Sequence, residues 1–204
     1  MDPIKQRHDL ILGQPPRIGP LAPEDRTPEQ QQIVDRIRPP AGVQLQAGGA
    51  SATEWVETLA RHPSLFMAHM AFAQQFMADA ALDPRDRELV VLRLGWVTGS
   101  PFEWGGHVQI AKACGISAAE IAGIVDGPDH GGWVLRDSAL LRAVDELHHE
   151  AMISDATWEA LAAFLDERQL IELVMLVGHY TTVAFYQNAL RLRLPGGNPG
   201  LLAR

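Results

Sequence analysis

Cysteine is nearly absent from this chain of 204 residues, which contains Cys114 alone. A single cysteine cannot form an internal disulfide, a Cys-x-x-Cys redox pair or a zinc site built from thiolates. Because Cys114 stands before Gly115 at a predicted helix end, we interpret it as a small packed thiol. The sequence therefore excludes protein classes that depend on paired cysteines.

Positive charge is scarce as well: 17 basic residues stand against 25 acidic ones, and the formal net charge is -8. An acidic surface repels nucleic acids and anionic membranes, and the chain has no basic stripe and no nucleic-acid-binding motif. No segment approaches the roughly 18 apolar residues of a membrane-spanning helix, and the N-terminal segment lacks the apolar run of a signal peptide. We therefore expect a cytoplasmic protein with a small-molecule partner, without nucleic acid or membrane.

Strand-like alternation of apolar and polar residues is missing too. From Thr53 onward, apolar residues recur at helical spacing, which predicts an all-α multi-helix bundle. We expect a helical domain over residues 53–194, followed by a tail over residues 195–204. The helices are apolar over more than one face, so we expect this domain to assemble as a homo-oligomer.

The first part of the chain, residues 1–52, is expected to form a proline-rich N-terminal arm with one short helix and a loop. Five prolines within residues 1–26 favour an extended segment that lies on the body or on a neighbouring subunit. "TPEQ" places threonine and glutamine at the positions of a capping box, which predicts a helix from Thr27 to about Arg38. "RPPAGVQLQAGGASA" then predicts a loop, since prolines and glycines interrupt regular structure.

The stretch "TGSPFEWGGH" (98–107) combines a helix start with reactive side chains. Ser100 suits the N-cap, Pro101 suits the first helical position, and Glu103 completes a capping box in which serine and glutamate each bind a backbone N–H. Glu103 also stands four residues before His107, so the two side chains share a helix face. Spacing alone leaves two interpretations open, a helix cap and an active site.

Four side chains of this predicted helix fall within an arc of about 100° on a helical wheel. They are a hydroxyl, a carboxylate, an indole and an imidazole: Ser100, Glu103, Trp104 and His107. Two glycines between them, Gly105 and Gly106, each cost about 1 kcal/mol of helix stability relative to alanine. Their presence indicates that a ligand or another helix approaches closely here.

Glu88 stands near the head of the preceding predicted helix and has two interpretations. As an exposed acid in the first turn, it would be favoured by the helix dipole. As a carboxylate folded against His107, it would fix the tautomer of the ring. The sequence does not decide between them.

The span from His62 to Leu194 resembles the carboxymuconolactone decarboxylase family, which shares its fold with alkyl hydroperoxidase D. The residues that carry the resemblance form separate blocks in the right order: "RELVVLRLGWVTGSPFEWGGHV", "ALLRAVDELH", "ISDATWEAL" and "QLIELVMLVGHY". The resemblance implies an alkyl hydroperoxidase D-like bundle of helical hairpins. It also implies assembly into trimers or hexamers, with pockets near the subunit contacts.

The peroxidase branch of that family uses a Cys-x-x-Cys-x-x-x-His motif with an upstream glutamate. Counted back from His107, the two cysteine places hold Ser100 and Glu103, and Glu88 falls at the place of the upstream glutamate. Serine cannot form the sulfenic acid or disulfide on which that peroxidase chemistry depends. We therefore expect a member of a non-thiol branch rather than a Cys-x-x-Cys peroxidase.

The decarboxylase branch instead carries a glutamate–tryptophan pair ahead of the histidine, as "EWGGH" does here. This implies a lyase that works without metal or organic cofactor on a small carboxylated lactone or keto acid. His107 would transfer a proton to or from the carbon next to a carbonyl, since histidine titrates near neutral pH. Glu103 would be a second acid or base, or would hold His107 charged, and Glu88 would orient the ring.

Further residues near this stretch are candidates for substrate binding. Ser100 and the backbone N–H groups of the helix start suit a carboxylate or enolate oxygen. Phe102 and Trp104 offer apolar walls for a planar ring, or belong to the core. Arg93 suits a substrate carboxylate, or a surface ion pair.

Other functions remain open at this stage. The same residues suit double-bond isomerisation, dehydration and retro-aldol cleavage. Cys114 suits a peroxidase-like redox protein with a lone thiol, and a degenerate pocket suits a non-catalytic binding oligomer. A metal site built from His107, Glu103 and His179 is a further alternative. We expect no metal, because His179 lies in a long apolar helix where a core histidine is more common.

Overall fold

The computed structural model describes residues 2–37 and 54–204. Over these two ranges the chain folds into helices and forms no strand, which confirms the all-α prediction. The α-helices are α1 (Pro3–Leu12), α2 (Pro28–Ile37), α3 (Glu54–Leu59), α4 (Pro63–Gln75), α5 (Pro84–Val97), α6 (Pro101–Ala113), α7 (Ala118–Asp126), α8 (Leu135–Glu150), α9 (Asp155–Ala162) and α10 (Glu167–Leu190). Short 3-10 helices form at Pro23–Asp25 and Gly200–Leu202. None of the described helices is long and apolar enough to cross a membrane.

Side-chain caps fix where the helices around the site begin. Asp83 accepts a backbone N–H at the start of α5, and Ser100 accepts the Glu103 N–H at the start of α6. Asp166 and Gln169 form a reciprocal capping box at the start of α10. These bonds satisfy N–H groups that have no partner inside the helix, so the polar residue before each helix sets its first turn.

Helix α5 runs through the centre of the main core. Its residues are buried without interruption from Asp86 to Gly95. It packs on α6 and α8, while α10 packs on both α5 and α6. A polar residue near the head of α5 is therefore surrounded by other helices, and this places the Glu88 carboxylate inside the protein.

Helices α5 and α6 form an antiparallel hairpin across the short link at residues 98–100. Gly95 lets the two backbones approach closely, since a Cβ at this position would lie 3.1 Å from the Trp104 nitrogen. The antiparallel arrangement brings Glu88 of α5 beside His107 of α6. Two helices that are neighbours in sequence thus supply the centre of the candidate site.

The extended arm expected over residues 1–26 is wrong in its first part, where α1 forms. Asp2 is the N-cap and Pro3 occupies the first helical position, a combination that favours helix initiation. The helix lies on the body of the protein, where Arg7 donates to two carbonyl oxygens of the α5–α6 link at 3.1 and 3.2 Å.

The helix predicted after "TPEQ" is α2, and its capping box joins Thr27 and Gln30. The described part of α2 ends at Ile37; the predicted end at Arg38 and the predicted loop after it lie outside the described residues. Helices α2, α3 and α4 contribute to a small second core with the buried residues Leu21, Ile33, Val34, Val56, Ala60 and Phe66. The domain boundary after residue 52 stays a prediction, since α2 packs with helices on its other side.

Helices α4 and α10 both carry exposed apolar side chains. Those on α4 are Leu65 and Phe72, and those on α10 are Ile171, Val174, Met175 and Phe185. The presence of such residues outside the core agrees with helices that are apolar over more than one face. Assembly into a homo-oligomer remains a prediction.

The C-terminal tail packs over α6. Leu201 and Ala203 belong to the main core, and the Ala203 carbonyl accepts a hydrogen bond from the Trp104 indole at 3.0 Å. Gly105 makes this approach possible, because a Cβ at this position would lie 1.8 Å from Asn198 Oδ1. The glycine that was expected to admit a ligand or a helix thus admits the tail.

Gly105→Ala is expected to lower the free energy of unfolding by about 1–3 kcal/mol, the usual effect of overpacking a filled site. The added Cβ would also lie 2.8 Å from the backbone nitrogen of Gly200, which cannot move independently of the tail. Urea unfolding followed by circular dichroism measures the effect. Gly106→Ala is the matched control: nothing lies within 4 Å of its Cβ, and alanine is expected to stabilise the helix by about 1 kcal/mol. Equal changes in the two variants would contradict the packing described here.

Candidate active site

The centre of the site is His107, whose imidazole lies between two carboxylates. Its Nδ1 is 2.7 Å from Glu88 Oε2, and its Nε2 is 3.5 Å from Glu103 Oε2. The histidine side chain is 15% exposed, so the ring is neither free in solvent nor fully enclosed. The structure thus brings together the three residues that were predicted to carry the chemistry.

Glu88 is a buried carboxylate that holds the ring of His107. It is 1% exposed, which makes the interpretation as an exposed first-turn acid wrong. Its Oε1 accepts a hydrogen bond from Arg87 Nε at 3.2 Å, and Arg87 in turn donates to the carbonyl of Phe76. Because Glu88 accepts from the Nδ1–H group, the Nε2 nitrogen of His107 is the one turned towards Glu103.

The Glu103 side chain points into the site and does not complete the helix cap. Ser100 Oγ accepts the Glu103 N–H at 3.4 Å, as a capping box requires. The Glu103 carboxylate does not reach back to the Ser100 N–H, which instead donates to the Gly95 carbonyl at 2.9 Å. Glu103 Oε1 accepts from Gln187 Nε2 of α10 at 2.5 Å. The predicted capping box is therefore only half formed, and the glutamate side chain is available for chemistry.

The second oxygen of Glu103 has no hydrogen-bond partner among the described residues. The residue is 6% exposed, so this oxygen is also withheld from bulk water. Burial raises the pKa of the Glu103 carboxyl, and the charge of Glu88 adds to the rise, against the opposing effects of His107 and Gln187. A buried carboxyl oxygen without a hydrogen-bond partner is costly, so this oxygen can accept a hydrogen bond from a bound molecule.

The pKa of His107 is raised although its surroundings are dry. Burial lowers the pKa, but the hydrogen bond that His107 donates to Glu88 and the charges of Glu103 and Glu88 raise it, and the net change is upward. The two facing groups therefore both bind a proton more readily than usual. A histidine–carboxyl pair of this kind can hold and release a proton near neutral pH.

An aromatic layer separates this pair from a second buried histidine. Tyr180 of α10 packs edge-on against His107 and also against His179, with ring centroids 5.3 Å apart in both cases. His179 stacks on the ring of His69, with ring centroids 4.8 Å apart. Burial therefore lowers the pKa of His179 to about 4, with a further decrease from the charge of His69.

The two buried histidines are expected to titrate in opposite directions. The His107 imidazole should titrate above the ordinary value of 6.5, because it sits between two carboxylates. The His179 imidazole should titrate near pH 4. NMR titration of the ring carbons measures both, with His107→Gln and His179→Gln used to assign the signals. A His107 midpoint below 6.5 would contradict the geometry, because the carboxylates would then fail to outweigh burial.

The part of the chain that carries Glu88, Glu103 and His107 also matches a known protein family. The sequence model of the carboxymuconolactone decarboxylase family matches residues 63–146, which include both helices of the α5–α6 hairpin. This region is therefore similar to the carboxymuconolactone decarboxylase family. The resemblance expected from the sequence is therefore confirmed. No curated protein matches the chain.

Several solved structures share the fold of this chain. A protein of unknown function from Agrobacterium tumefaciens is 22% identical with a TM-score of 0.62, and the match covers 67% of this chain and 94% of that one. An alkylhydroperoxidase AhpD core protein from Ralstonia eutropha JMP134 is 15% identical with a TM-score of 0.66 over 85% and 90% of the two chains. The debrominase Bmp8 is 13% identical with a TM-score of 0.66 over 87% and 91%. These matches confirm the alkyl hydroperoxidase D-like fold.

Ser100 lies at the first cysteine place of the family's peroxidase motif but is fully buried. Its hydroxyl accepts from the Glu103 N–H and donates to Gln187 Oε1 at 3.1 Å. The Ser100 hydroxyl therefore already acts as a donor and as an acceptor within the protein. The structure supports a capping role for Ser100 and does not place it as the substrate-binding group that the sequence predicted.

Trp104 was predicted to form an apolar wall of the site, but its side chain points elsewhere. It is fully buried, stacks on Trp96 with ring centroids 4.9 Å apart and donates to the tail. On the helical wheel, Trp104 and Glu103 are consecutive residues about 100° apart, so they mark the two edges of the predicted face. One edge meets α10 and the other meets the C-terminal tail. Phe102 is half-buried.

Arg93 is not part of the site either. Its guanidinium forms two hydrogen bonds with Asp145 at 2.7 and 2.8 Å and donates to the Ile124 and Val125 carbonyls at the end of α7. A cation at a helix C-terminus satisfies carbonyl groups that have no partner inside the helix. The Arg93 side chain therefore joins α5, α7 and α8, and its contact with a substrate carboxylate stays a prediction.

Three residues of the site were missed by the sequence analysis: Arg87, Tyr180 and Gln187. Arg87 stands beside Glu88 in "RDRELVVL", where a charged residue in a buried helix is a usable signal. Gln187 is a polar residue within the apolar face of α10, which is a weaker signal. Tyr180 follows His179 and carries no signal of its own. Tyr180 and Gln187 are recognised only when α10 is packed on α6.

The structure also shows where His179 and Cys114 lie, the residues of the alternative metal and thiol sites. His179 lies in the aromatic layer with Phe72 and Phe76 and does not join His107 and Glu103. In the ranges that the structure describes, no group of three His, Cys, Asp or Glu side chains could hold a metal ion. Cys114 ends α6 as its C-cap residue, about 10 Å along the helix axis from His107.

Proposed function

We propose that this protein is a cofactor-independent enzyme that transfers protons at a carbon next to a carbonyl group, with decarboxylation as the reaction. The observation that carries the proposal is the unpartnered Glu103 Oε2 facing His107 Nε2 in a buried position. Similarity to the family and the fold shared with a debrominase and AhpD-like proteins support a small-molecule-processing enzyme. Glu88 and the absence of a paired thiol support acid–base chemistry.

In a decarboxylation of a carboxylated lactone or a keto acid, the bond between the carboxylate and the neighbouring carbon breaks. Its electron pair moves into the carbonyl system and gives an enolate or dienolate, while carbon dioxide leaves. His107 Nε2–H then donates a proton to the carbon, and the imidazole is recharged from solvent. Glu103, with its raised pKa, donates a hydrogen bond to the enolate oxygen when protonated and stabilises charged His107 when ionised.

A second candidate is an isomerase, dehydratase or retro-aldolase that acts on an uncharged enolisable substrate. It is favoured by the position of Arg93, which is paired with Asp145 and is not available for a substrate carboxylate. The acid–base steps are the same, since each of these reactions passes through an enolate. The two candidates differ in whether carbon dioxide is released.

We further propose a cytoplasmic homo-oligomer, either a trimer or a hexamer. The support is the set of exposed apolar side chains on α4 and α10, which include Leu65 and Phe185. Helix α10 also carries Tyr180 and Gln187 on the face that meets the site. An assembly through this part of the molecule would complete the pocket next to a subunit contact.

The function is tested with a panel of β-keto acids, carboxylated butenolides and uncharged enolisable ketones. Carbon dioxide release and product NMR separate decarboxylation from isomerisation, dehydration and retro-aldol cleavage. Cys114→Ser should keep full activity, because the thiol is remote from His107. Loss of activity in Cys114→Ser would favour a redox protein, and binding without any product would favour a non-catalytic binding oligomer.

A further inference from the structure

We propose that Gln187 is a positioning residue that holds one oxygen of Glu103, so that the other oxygen stays turned towards His107 and the substrate. This inference rests on the proposed function, since it assigns a task within the same site. Gln187 lies on α10, 84 residues from Glu103, and is 5% exposed. It touches neither the imidazole nor any reacting atom, so it acts through Glu103.

The amide of Gln187 closes a ring of hydrogen bonds through three buried residues. The Glu103 N–H donates to Ser100 Oγ at 3.4 Å, and the Ser100 hydroxyl donates to Gln187 Oε1 at 3.1 Å. Gln187 Nε2 then donates to Glu103 Oε1 at 2.5 Å and returns the ring to its starting residue. The N-cap hydroxyl of Ser100 is thereby linked through Gln187 to the Glu103 carboxylate. Each hydrogen bond of the ring orients the next one.

The ring of hydrogen bonds makes the two carboxyl oxygens of Glu103 different from each other. Oε1 is engaged by Gln187, whereas Oε2 has no hydrogen-bond partner among the described residues and faces His107 Nε2 at 3.5 Å. The position that a capping-box glutamate would occupy is closed, because the Ser100 N–H donates to Gly95. Without Gln187 the Glu103 carboxyl group would lose the donor to its Oε1 and could rotate away from the imidazole. The amide therefore selects which oxygen serves the reaction.

A purely structural glutamine would leave the acid–base properties of the site unchanged, and this gives the test. The hydrogen bond from Gln187 lowers the pKa of Glu103, so its removal should raise that pKa further. Gln187→Met fills a similar volume without a donor. Gln187→Glu keeps the shape and polarity but offers no donor when ionised, and serves as the second variant if the methionine protein is poorly folded.

The experiment combines carbon-13 NMR titration of the Glu103 carboxyl with the pH dependence of kcat and kcat/KM. Both variants should move the Glu103 midpoint to higher pH, shift the limb of the pH profile that reports Glu103 in the same direction and lower kcat by about 10-fold, with little change in KM. Asn188→Leu is the matched control: this neighbouring amide donates to the Thr98 carbonyl in the α5–α6 link rather than to Glu103. It should leave the titration and the pH profile unchanged.

Two results would overturn the assignment of Gln187. An unmoved Glu103 midpoint in folded variants would show that the amide does not hold the carboxyl group. A moved midpoint with unchanged kcat and pH profile would show that the orientation is irrelevant to turnover, while the proposed function would stand. If the wild-type protein turned over no substrate, the proposed function would fail, and the carboxyl titration alone would still decide whether Gln187 holds Glu103.

Discussion

His107→Gln is expected to reduce kcat/KM for the proposed substrates by about 10²- to 10⁴-fold, the usual contribution of a positioned general acid or base. Glutamine can still donate to Glu88, so the buried carboxylate keeps a partner and the fold is retained. It cannot carry a proton to carbon at any accessible pH. Steady-state kinetics on the substrate found in the panel measures the loss.

The control for this variant is His130→Gln. His130 lies in the loop after α7, where it is exposed and pairs with Asp126 at 3.1 Å. Its replacement should leave kcat/KM unchanged. If His107→Gln lost no more activity than His130→Gln, the imidazole between the carboxylates would have no part in the reaction.

Glu88→Gln is expected to reduce kcat by about 10- to 100-fold, the range for a group that orients a reacting histidine. The amide can present a donor to Nδ1 and stabilise the wrong tautomer of His107, and it removes a negative charge that raises the pKa of the imidazole. The activity that requires protonated His107 should therefore be lost at lower pH than in the wild type. The pH profile of kcat measures this shift together with the reduced rate.

Asp86→Asn is the matched control on the same helix. Asp86 is buried near the head of α5, like Glu88, but it pairs with Arg136 and not with His107. It should alter stability without moving the pH profile. A shift of equal size in both variants would mean that the profile reports the general charge of α5 rather than the contact between Glu88 and His107.

The helices themselves could be predicted because their signals are local. Capping residues such as Thr27, Ser117 and Asp166 and the helical spacing of apolar residues lie within single elements. The same signal was present at Asp2 and Pro3, where the number of prolines further along the arm led to the expectation of an extended chain. Composition over a long segment was a poorer guide there than the cap itself.

The site could be predicted only where it follows the α5–α6 hairpin. Glu88, Glu103 and His107 lie on two consecutive helices, and the family resemblance supplied their relation. Gln187 comes from α10 and the contact of Trp104 comes from the tail, so neither follows from spacing within α6. A helical wheel shows which residues share a side of a helix, but it does not show which neighbour covers each edge.

The partners of Arg93 could not be predicted from the sequence either. Its charge suited a substrate carboxylate, but its partners come from α7 and α8. The residues that bind a guanidinium are separated from it by 31 to 52 positions in sequence. Only the packed helices reveal that this charge stabilises the fold.

Solvent exchange at carbon tests the acid–base account most directly. In deuterium oxide, the wild-type protein should catalyse exchange of the hydrogens next to the carbonyl of the reaction product, since proton transfer must run in both directions through the same groups. Proton NMR follows the disappearance of these signals. The account predicts exchange well above the buffer rate for the wild type and a return to the buffer rate for His107→Gln. Wild-type exchange no faster than buffer, or equal exchange by the two proteins, would contradict it.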